Sequence, residues 1–179
     1  PAKIMHGHVL ELLDKGITNI FYPGITYNID EHAGDNHYNC PIVAYYSELL
    51  QGNIEELKNI NYMYPYLDIN SEEALAKTIA PCLEKLDRSI SKREIKNAVK
   101  KAFAAYEQYK ADLRAEGEKA VNFARENGYR IMILAGRPYH IDPEICHGID
   151  KLANSLGFVV VSEDSVYHLA EPVAVSVLN

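Results

Sequence analysis

Several motifs that commonly reveal a function are missing from this 179-residue sequence. It contains no GxxxxGK[ST] phosphate loop, GxGxxG fingerprint, GxSxG nucleophile elbow or HExxH helix, so it shows no machinery for hydrolysing ATP. Its three cysteines, at positions 40, 82 and 146, form no CxxC pair and no disulfide framework. This sparse cysteine usage favours a reducing compartment, and we expect a cytoplasmic protein.

Long apolar runs and excess positive charge are also lacking. No stretch approaches the roughly 20 apolar residues that a membrane-spanning helix needs, and no signal peptide is visible. The 18 basic and 25 acidic side chains give a net charge of -7. Nucleic acids and anionic membranes are bound by basic patches, so the composition argues against both partners but not against a local anion site.

Residues 131–162 are the most informative stretch, because they read as a strand, a helix and a second strand. The apolar runs 131–135 and 158–161 are typical of parallel strands buried on both faces. Asp142 before Pro143 predicts the start of the helix between them, and we expect a right-handed crossover. The apolar face predicted for this helix consists of Ile145, Ile149, Leu152 and Leu156.

The loop that follows the first of these strands is a candidate binding site. Arg137, Tyr139 and His140 lie between the carboxyl end of a strand and the start of a helix, where backbone N–H groups and the helix dipole favour an anion. The alternative is a tight turn in which Arg137 pairs with Glu163 or Asp164 and Tyr139 packs on the sheet edge.

Periodicity and turn signals divide the rest of the chain into helices, strands and a loop. The predicted helices cover residues 2–15, 41–50, 70–86 and 91–127, the strands cover 18–22 and 60–64, and the loop covers 24–39. Asn70 with Glu73, and Ser91 with Glu94, are predicted capping pairs. Pro81 should kink its helix, and Gly117 is a weak point of the last one.

The predicted fold is α/β, with two lobes joined by a long helical segment. Unbroken, the last helix would be on the order of 50 Å long, too long for one small lobe. We therefore assign an N-terminal lobe to residues 1–88, a connecting helix to 89–128 and a second, truncated lobe to 129–179. Since the chain opens on Pro1 and stops at Asn179, we expect it to be a fragment of a longer protein.

Cys40 is the sharpest candidate for chemistry. It immediately precedes a helix, whose dipole favours the thiolate, and thiolate is the form that binds metal or attacks. His32, Asp35 and His37 are near in sequence, but one cysteine alone cannot hold a cluster or a structural zinc. The alternative is a buried capping cysteine.

The remaining candidates have structural interpretations that we prefer. Cys82 falls on an apolar helix face and is predicted to be core, whereas Cys146 is predicted to lie at the boundary of such a face. A group of tyrosines could stack on an aromatic ligand, although such residues more often fill a lobe and keep their hydroxyls wet. These tyrosines are Tyr45, Tyr46, Tyr62, Tyr64 and Tyr66.

Four motifs together resemble one family: PAKIMHGHVLEL, IFYP, NCPIV and ILAGRPYHIDPEICHGIDKL, in this order. It is the family of activators of 2-hydroxyglutaryl-CoA dehydratase and related acyl-CoA dehydratase activases. The resemblance covers almost the whole chain. It implies two Rossmann-like lobes with parallel sheets, like the cluster-bearing subunits of 2-hydroxyacyl-CoA dehydratases and benzoyl-CoA reductases.

The resemblance also implies a cofactor and partners. The family carries a four-iron four-sulfur cluster, and Cys40 in NCP takes the place of one metal ligand. Further ligands are expected before Pro1 and beyond Asn179, and Cys146 is not counted among them. An activator ATPase domain or subunit is the implied partner, an acyl-CoA the implied substrate, and ATP-driven radical chemistry in anaerobes the implied setting.

Three functions therefore remain open at this point. The first is an iron–sulfur redox module in which the loop with Arg137, Tyr139 and His140 faces the cluster or the substrate, within reach of Cys40. The second is a non-catalytic docking module for an activator ATPase or partner subunit. The third is a metal hydrolase built from His32, His37 and Cys40. As part of an acyl-CoA dehydratase or reductase system, the chain alone is expected to be inactive.

Overall fold

The computed structural model describes residues 2–30 and 36–171, and this part of the chain is a helix-rich α/β protein. Its α-helices are α1 (Ala2–Asp14), α2 (Pro41–Asn53), α3 (Glu72–Leu86), α4 (Lys92–Glu126), α5 (Pro143–Cys146), α6 (Ile149–Ser155) and α7 (Glu163–Val166). Its strands are β1 (Asn19–Phe21), β2 (Gly24–Tyr27), β3 (Asn61–Met63), β4 (Tyr66–Asp68), β5 (Arg130–Leu134) and β6 (Phe158–Ser162). The strands pair in parallel, β1 with β3, β2 with β4 and β5 with β6, which confirms the predicted class.

The chain divides into two compact units, the first ending at Phe103 and the second beginning at Ala104. Helix α4 has 35 residues and is therefore roughly 52 Å long, as the sequence predicts. The assignment of residues 89–128 to a separate connecting helix stays a prediction. Among the described residues, no helix is both long and apolar enough to cross a membrane.

Two interrupted strands form the sheet of the first unit. The register pairs Asn19 with Asn61 and Gly24 with Tyr66, so the same offset of 42 residues places Pro23 opposite Pro65. The backbone N–H of Asn61 donates to the carbonyl oxygen of Thr18. Because the hydrogen bonds that one strand donates in a parallel ladder recur at every second residue, the backbone N–H of residue 65 would donate to the carbonyl oxygen of residue 22. Proline has no N–H, so the ladder breaks there and β1–β3 is separated from β2–β4.

The loop predicted over residues 24–39 is partly wrong, because it begins with β2. This strand of four residues is tied by Asn39, whose backbone N–H donates to Thr26 O (3.1 Å) and whose side-chain amide donates to Ile25 O (3.1 Å). A short antiparallel bridge also joins Tyr27 to Tyr38. The segment 36–39 therefore runs back along β2 and leads directly into α2.

Helix α1, helix α2 and the sheet share an apolar core in the first unit. The buried side chains of this core are Val9, Ile20, Leu50, Ile54 and Leu57. Helix α1 ends at a glycine as predicted, since Gly16 has a φ of 75° and its N–H donates to Leu13 O (2.8 Å). A 3₁₀ turn at Glu55–Asn59 then connects α2 to β3.

Helices α3 and α4 form a hairpin, and one of the two predicted caps needs correction. Helix α3 is capped by Ser71 rather than Asn70, because the Ser71 hydroxyl accepts from Ala74 N–H (3.1 Å). Helix α3 continues through Pro81. The other pair is confirmed, since the Ser91 hydroxyl accepts from the backbone N–H of Glu94 (3.2 Å) and the Glu94 carboxylate accepts from Ser91 N–H (2.8 Å).

The second unit packs the β5–β6 pair and α7 against the end of α4. Val121, Val161 and Val166 form its buried apolar cluster. The predicted weak point, Gly117, does not interrupt α4. Its lack of a side chain lets α7 approach closely, because a Cβ there would lie 2.7 Å from the carbonyl carbon of Ser165. Burial of β5 on both faces was a wrong prediction, since Ile133 is 54% exposed.

The helix predicted between β5 and β6 is broken, and its predicted apolar face is wrong. His147 (φ 52°) and Gly148 (φ 77°) are both left-handed, so the chain forms α5 and then α6 in place of one regular helix. The break rotates α6, whose Ala153 is buried while the predicted core residues are about half exposed or more. These exposed residues are Ile145, Ile149, Leu152 and Leu156. The predicted left-handed cap at Gly157 (φ 84°) is confirmed.

Candidate functional site

Cys40 occupies the N-cap position of α2, but its thiol is not the cap. Its backbone carbonyl accepts from Val43 N–H (3.0 Å) and from Ala44 N–H (3.1 Å), and Pro41 is the first helical residue. The side chain makes no capping hydrogen bond and is exposed. The alternative of a buried capping cysteine is therefore wrong, and the sulfur faces solvent.

The backbone on both sides of Cys40 is held against β2. Asn39 makes the two hydrogen bonds to β2 described above. On the other side, α2 packs against Gly24, where a Cβ would lie 3.3 Å from the carbonyl carbon of Ala44. A cysteine fixed in this way can serve as a ligand without a large loss of backbone entropy on binding. The helix dipole of α2 also favours its thiolate form.

His37 is engaged with other groups close to Cys40 in sequence. Its Nε2 lies 3.5 Å from Oδ1 of Asp30, and its ring meets that of Tyr27 edge to face with 5.8 Å between centroids. Among the described residues, no group of three or more histidine, cysteine or acidic side chains is arranged to hold a metal ion. His32 lies outside the described residues, so the hydrolase hypothesis stays a prediction.

The other two cysteines are unsuited to ligation because both are buried. Cys82 lies on the inner side of α3, which confirms the core prediction, and burial raises the pKa of its thiol although Lys85 acts to lower it. Cys146 is 7% exposed, so its predicted boundary position is wrong; its Sγ lies 3.9 Å from Oδ1 of Asp150. A cubane cluster held by four thiolates could therefore take one ligand, Cys40, from the described residues.

The second candidate site, residues 137–140, is ordered by its own histidine. Pro138–Ile141 forms a 3₁₀ turn, and Nδ1 of His140 accepts from the backbone N–H of Arg137 (3.0 Å). An accepting Nδ1 carries no proton, so the neutral ring has its hydrogen on Nε2. Gly136 makes this geometry possible, because a Cβ there would lie 2.5 Å from Nδ1. Sequence reasoning missed this role, whose only signal was a glycine at the strand end.

Arg137, Tyr139 and His140 are all exposed, and the turn leaves the cationic side chain available. Within the described ranges Arg137 forms no ion pair with Glu163 or Asp164, so the tight-turn alternative lacks its expected pair. Tyr139 is 59% exposed, and its ring meets the His140 ring edge to face at 4.5 Å. An exposed guanidinium beside an aromatic ring and an imidazole can bind an anionic group.

Tyr62 of the tyrosine group is structural, whereas Tyr45 is 58% exposed. The Tyr62 hydroxyl donates to Ser47 O (2.8 Å), and the ring stacks on Tyr64 with 5.3 Å between centroids. Burial is the main cause that raises the pKa of Tyr62, and the nearby hydroxyls of Tyr22 and Tyr64 raise this pKa further. The hydroxyl of Tyr62 is therefore bonded within the fold rather than wet, and this residue is not available to stack on a ligand.

These observations define the class of protein: an α/β protein with parallel strand pairs and a single exposed cysteine, among the described residues, at a helix N-terminus. A sequence model of the family described as CoA enzyme activase uncharacterised domain (DUF2229) matches residues 1–166. The chain belongs to this family, and the resemblance to acyl-CoA dehydratase activases is confirmed. No curated protein and no solved structure matches the chain.

Proposed function

We propose that the chain is an iron–sulfur redox module of an ATP-driven system resembling 2-hydroxyacyl-CoA dehydratases and benzoyl-CoA reductases. The observation that carries the proposal is the Cys40 thiol, which is exposed, makes no capping hydrogen bond and sits on a backbone held against β2. Membership of a CoA enzyme activase family supports the same proposal.

Cys40 contributes one thiolate ligand to a four-iron four-sulfur cluster, which supplies low-potential electrons when it is bound. The helix dipole of α2 stabilises this thiolate. The other ligands come from outside the described residues, because Cys82 and Cys146 are buried.

The finer architecture is two Rossmann-like lobes with parallel sheets. Two features of the fold support it: β2 leads through α2 to β3 and β4, and β5 leads through α5 and α6 to its parallel partner β6. In lobes of this kind, ligands bind outside the carboxyl ends of the strands. The turn after β5 is such a position, and we assign Arg137, Tyr139 and His140 to binding the anionic part of an acyl-CoA. An activator ATPase is the proposed electron donor.

The deciding experiment measures iron and acid-labile sulfide, with the visible spectrum, on protein purified anaerobically from the full reading frame that encodes this chain. We expect about four irons and four sulfides per protein, lost in Cys40→Ala. Cys82→Ala is the matched control, because it removes a buried thiol and should retain the cluster. Iron retained in Cys40→Ala, with both variants folded, would contradict the assignment of the ligand.

A second function, a non-catalytic docking module, is favoured by one observation. The apolar side chains of α5 and α6 are exposed, with Leu152 61% and Leu156 62% accessible. Contiguous exposed apolar residues commonly mark interaction surfaces. No iron in either the parent protein or Cys40→Ala, with both folded, would make Cys40 structural and leave docking as the better function.

A further inference from the structure

The basic side chains of this acidic chain are concentrated in one helical hairpin. Residues 77–101 contain eight of the 18 lysines and arginines but three of the 25 acidic residues. The rest of the chain carries ten basic and 22 acidic side chains. This segment comprises most of α3 and the first turns of α4. The hairpin therefore carries a net positive charge in a protein whose overall net charge is negative.

The hairpin contains a cleft of about 380 Å³. Ala76, Ala80, Pro81 and Ile95 contribute apolar lining. Charged side chains border this lining, namely Lys77, Lys92 and Lys96 together with Glu73 and Glu84. Pro81 and Glu84 also line an adjoining cleft, which adds Lys85 and Arg88. Five cations thus follow two connected clefts, and we call this surface the hairpin cleft.

The lysines of the hairpin cleft lack the partners that similar lysines have elsewhere. Lys15, Lys58 and Lys119 each pair with a glutamate three or four residues away on the same helical turn. Lys77 has Glu73 at the same spacing, yet among the described residues it forms no ion pair within 4.0 Å, and neither do Lys92 and Lys96. These three lysines therefore lie around the cleft without a direct ion pair, and they outnumber the two glutamates beside them, Glu73 and Glu84.

The spacing of these charges selects the kind of ligand. Lys77 and Lys85 are eight residues apart on α3, which is roughly 12 Å along the helix. One phosphate or carboxylate cannot reach both, and lysines are flexible point charges rather than the rigid forks that hold a single anion. An elongated partner with several carboxylates matches this spacing. The 22 acidic residues elsewhere would repel the backbone of a nucleic acid.

We propose that the hairpin cleft is a docking site for an acidic amphipathic helix of a partner protein. Ala76 and Ile95 are buried at the bottom of the cleft, so the apolar face of that helix packs on Pro81 and Ala80, the accessible part of the lining. Its glutamates or aspartates meet the lysines on either side. This is the helix-in-groove mode of recognition, in which the apolar anchors supply affinity and the charges supply orientation and association rate. The inference does not depend on Cys40 or on a cluster.

The test measures binding of a synthetic peptide to the full 179-residue chain by fluorescence anisotropy at low and high salt. The probe is a labelled peptide of roughly 16 residues, with leucines along one helical face and glutamates on both flanks. We expect the triple variant Lys77→Gln/Lys92→Gln/Lys96→Gln to weaken binding about tenfold at low salt. The matched control Lys3→Gln/Lys15→Gln/Lys58→Gln removes the same charge from the first unit outside residues 77–101 and should change affinity less than about twofold.

Two further comparisons separate a docking groove from a generic anion site. Ala80→Gln places a longer side chain in the cleft and should weaken binding without changing the charge. Equal losses in the two triple variants would overturn the proposal, as would undiminished binding of a peptide whose leucines are replaced by serine. Displacement of the peptide by inorganic tripolyphosphate at comparable concentration would identify a small-anion site instead. Circular dichroism and thermal unfolding confirm that each variant is folded.

Discussion

Replacement of Gly117 by alanine tests the packing of the second unit. The new Cβ would lie 2.7 Å from the carbonyl carbon and 2.9 Å from the Cβ of Ser165. Ordinary contact begins at 3.4 Å, so α7 must retreat by at least 0.7 Å from the carbonyl carbon. The carbonyl is backbone and cannot rotate away as a flexible side chain would.

Two opposing effects determine how much Gly117→Ala changes the free energy of unfolding. Alanine is favoured over glycine inside a helix by about 1 kcal/mol, whereas forced overpacking costs up to about 3 kcal/mol. The retreat of α7 would also disturb the Arg114–Tyr167 hydrogen bond and the contact of His168 Nε2 with Glu118 Oε1 (2.8 Å). We therefore expect Gly117→Ala to lower the free energy of unfolding by about 2 kcal/mol.

Urea unfolding followed by circular dichroism measures this change, and Gly7→Ala is the matched control. Gly7 is also inside a helix, but a Cβ there would meet nothing within 4 Å. Gly7→Ala should therefore stabilise the protein by up to about 1 kcal/mol. If Gly117→Ala stabilised the protein by a similar amount, the close approach of α7 to α4 would be refuted.

Two further predictions concern the turn after β5 and the core of the first unit. Gly136→Ala should push the His140 ring off its backbone donor, and the ¹⁵N shifts of the imidazole would report the loss of the Nε2–H tautomer preference; unchanged shifts would contradict this. Tyr62→Phe removes the hydrogen bond to Ser47 O and should cost about 1 kcal/mol, whereas Tyr45→Phe, at an exposed position, should cost little. Because the folded-state pKa of Tyr62 is raised, its stabilising effect is complete below pH 10 and declines as the pH rises further, so the wild type should lose more stability there than Tyr62→Phe.

The parts of the fold that the sequence predicts well are those with many repeats of one local signal. Helix α4 has ten turns of periodic pattern, a capping pair at Ser91 and Glu94, and a glycine just beyond its end. Strand β5 follows the glycine at the end of α4, strand β6 follows Gly157 at the end of α6, and the two strands pair in parallel as expected. Strands β2 and β4, with four and three residues, are too short to show a period, and each follows a proline that reads as a terminator.

The features that escaped prediction depend on contacts between distant residues. The break at His147 rotates α6 and exposes the residues whose spacing indicated a core, because a left-handed residue interrupts the period that the spacing assumes. Gly117 looks like a weakness in α4, yet it is explained by Ser165, 48 positions later. For the candidate site, Cys40 was found from its place before a proline, but its exposure could be known only from the course of residues 36–39 along β2.

The opposed prolines, Pro23 and Pro65, also bear on how copies of this protein behave at high concentration. The backbone N–H groups of Tyr22 and Gly24 both donate to the neighbouring strand, so the backbone nitrogen of residue 23 between them faces the outer side of the sheet. Because this nitrogen belongs to a proline, it has no hydrogen to donate to an incoming strand. The outer side of β2 is occupied by Asn39 and its neighbours. The outer edge formed by β1 and β2 is therefore interrupted at Pro23 and covered along β2 by the protein's own chain, which makes it a poor template for edge-to-edge aggregation. Pro65 interrupts the ladder from within, whereas Pro23 protects its outer edge.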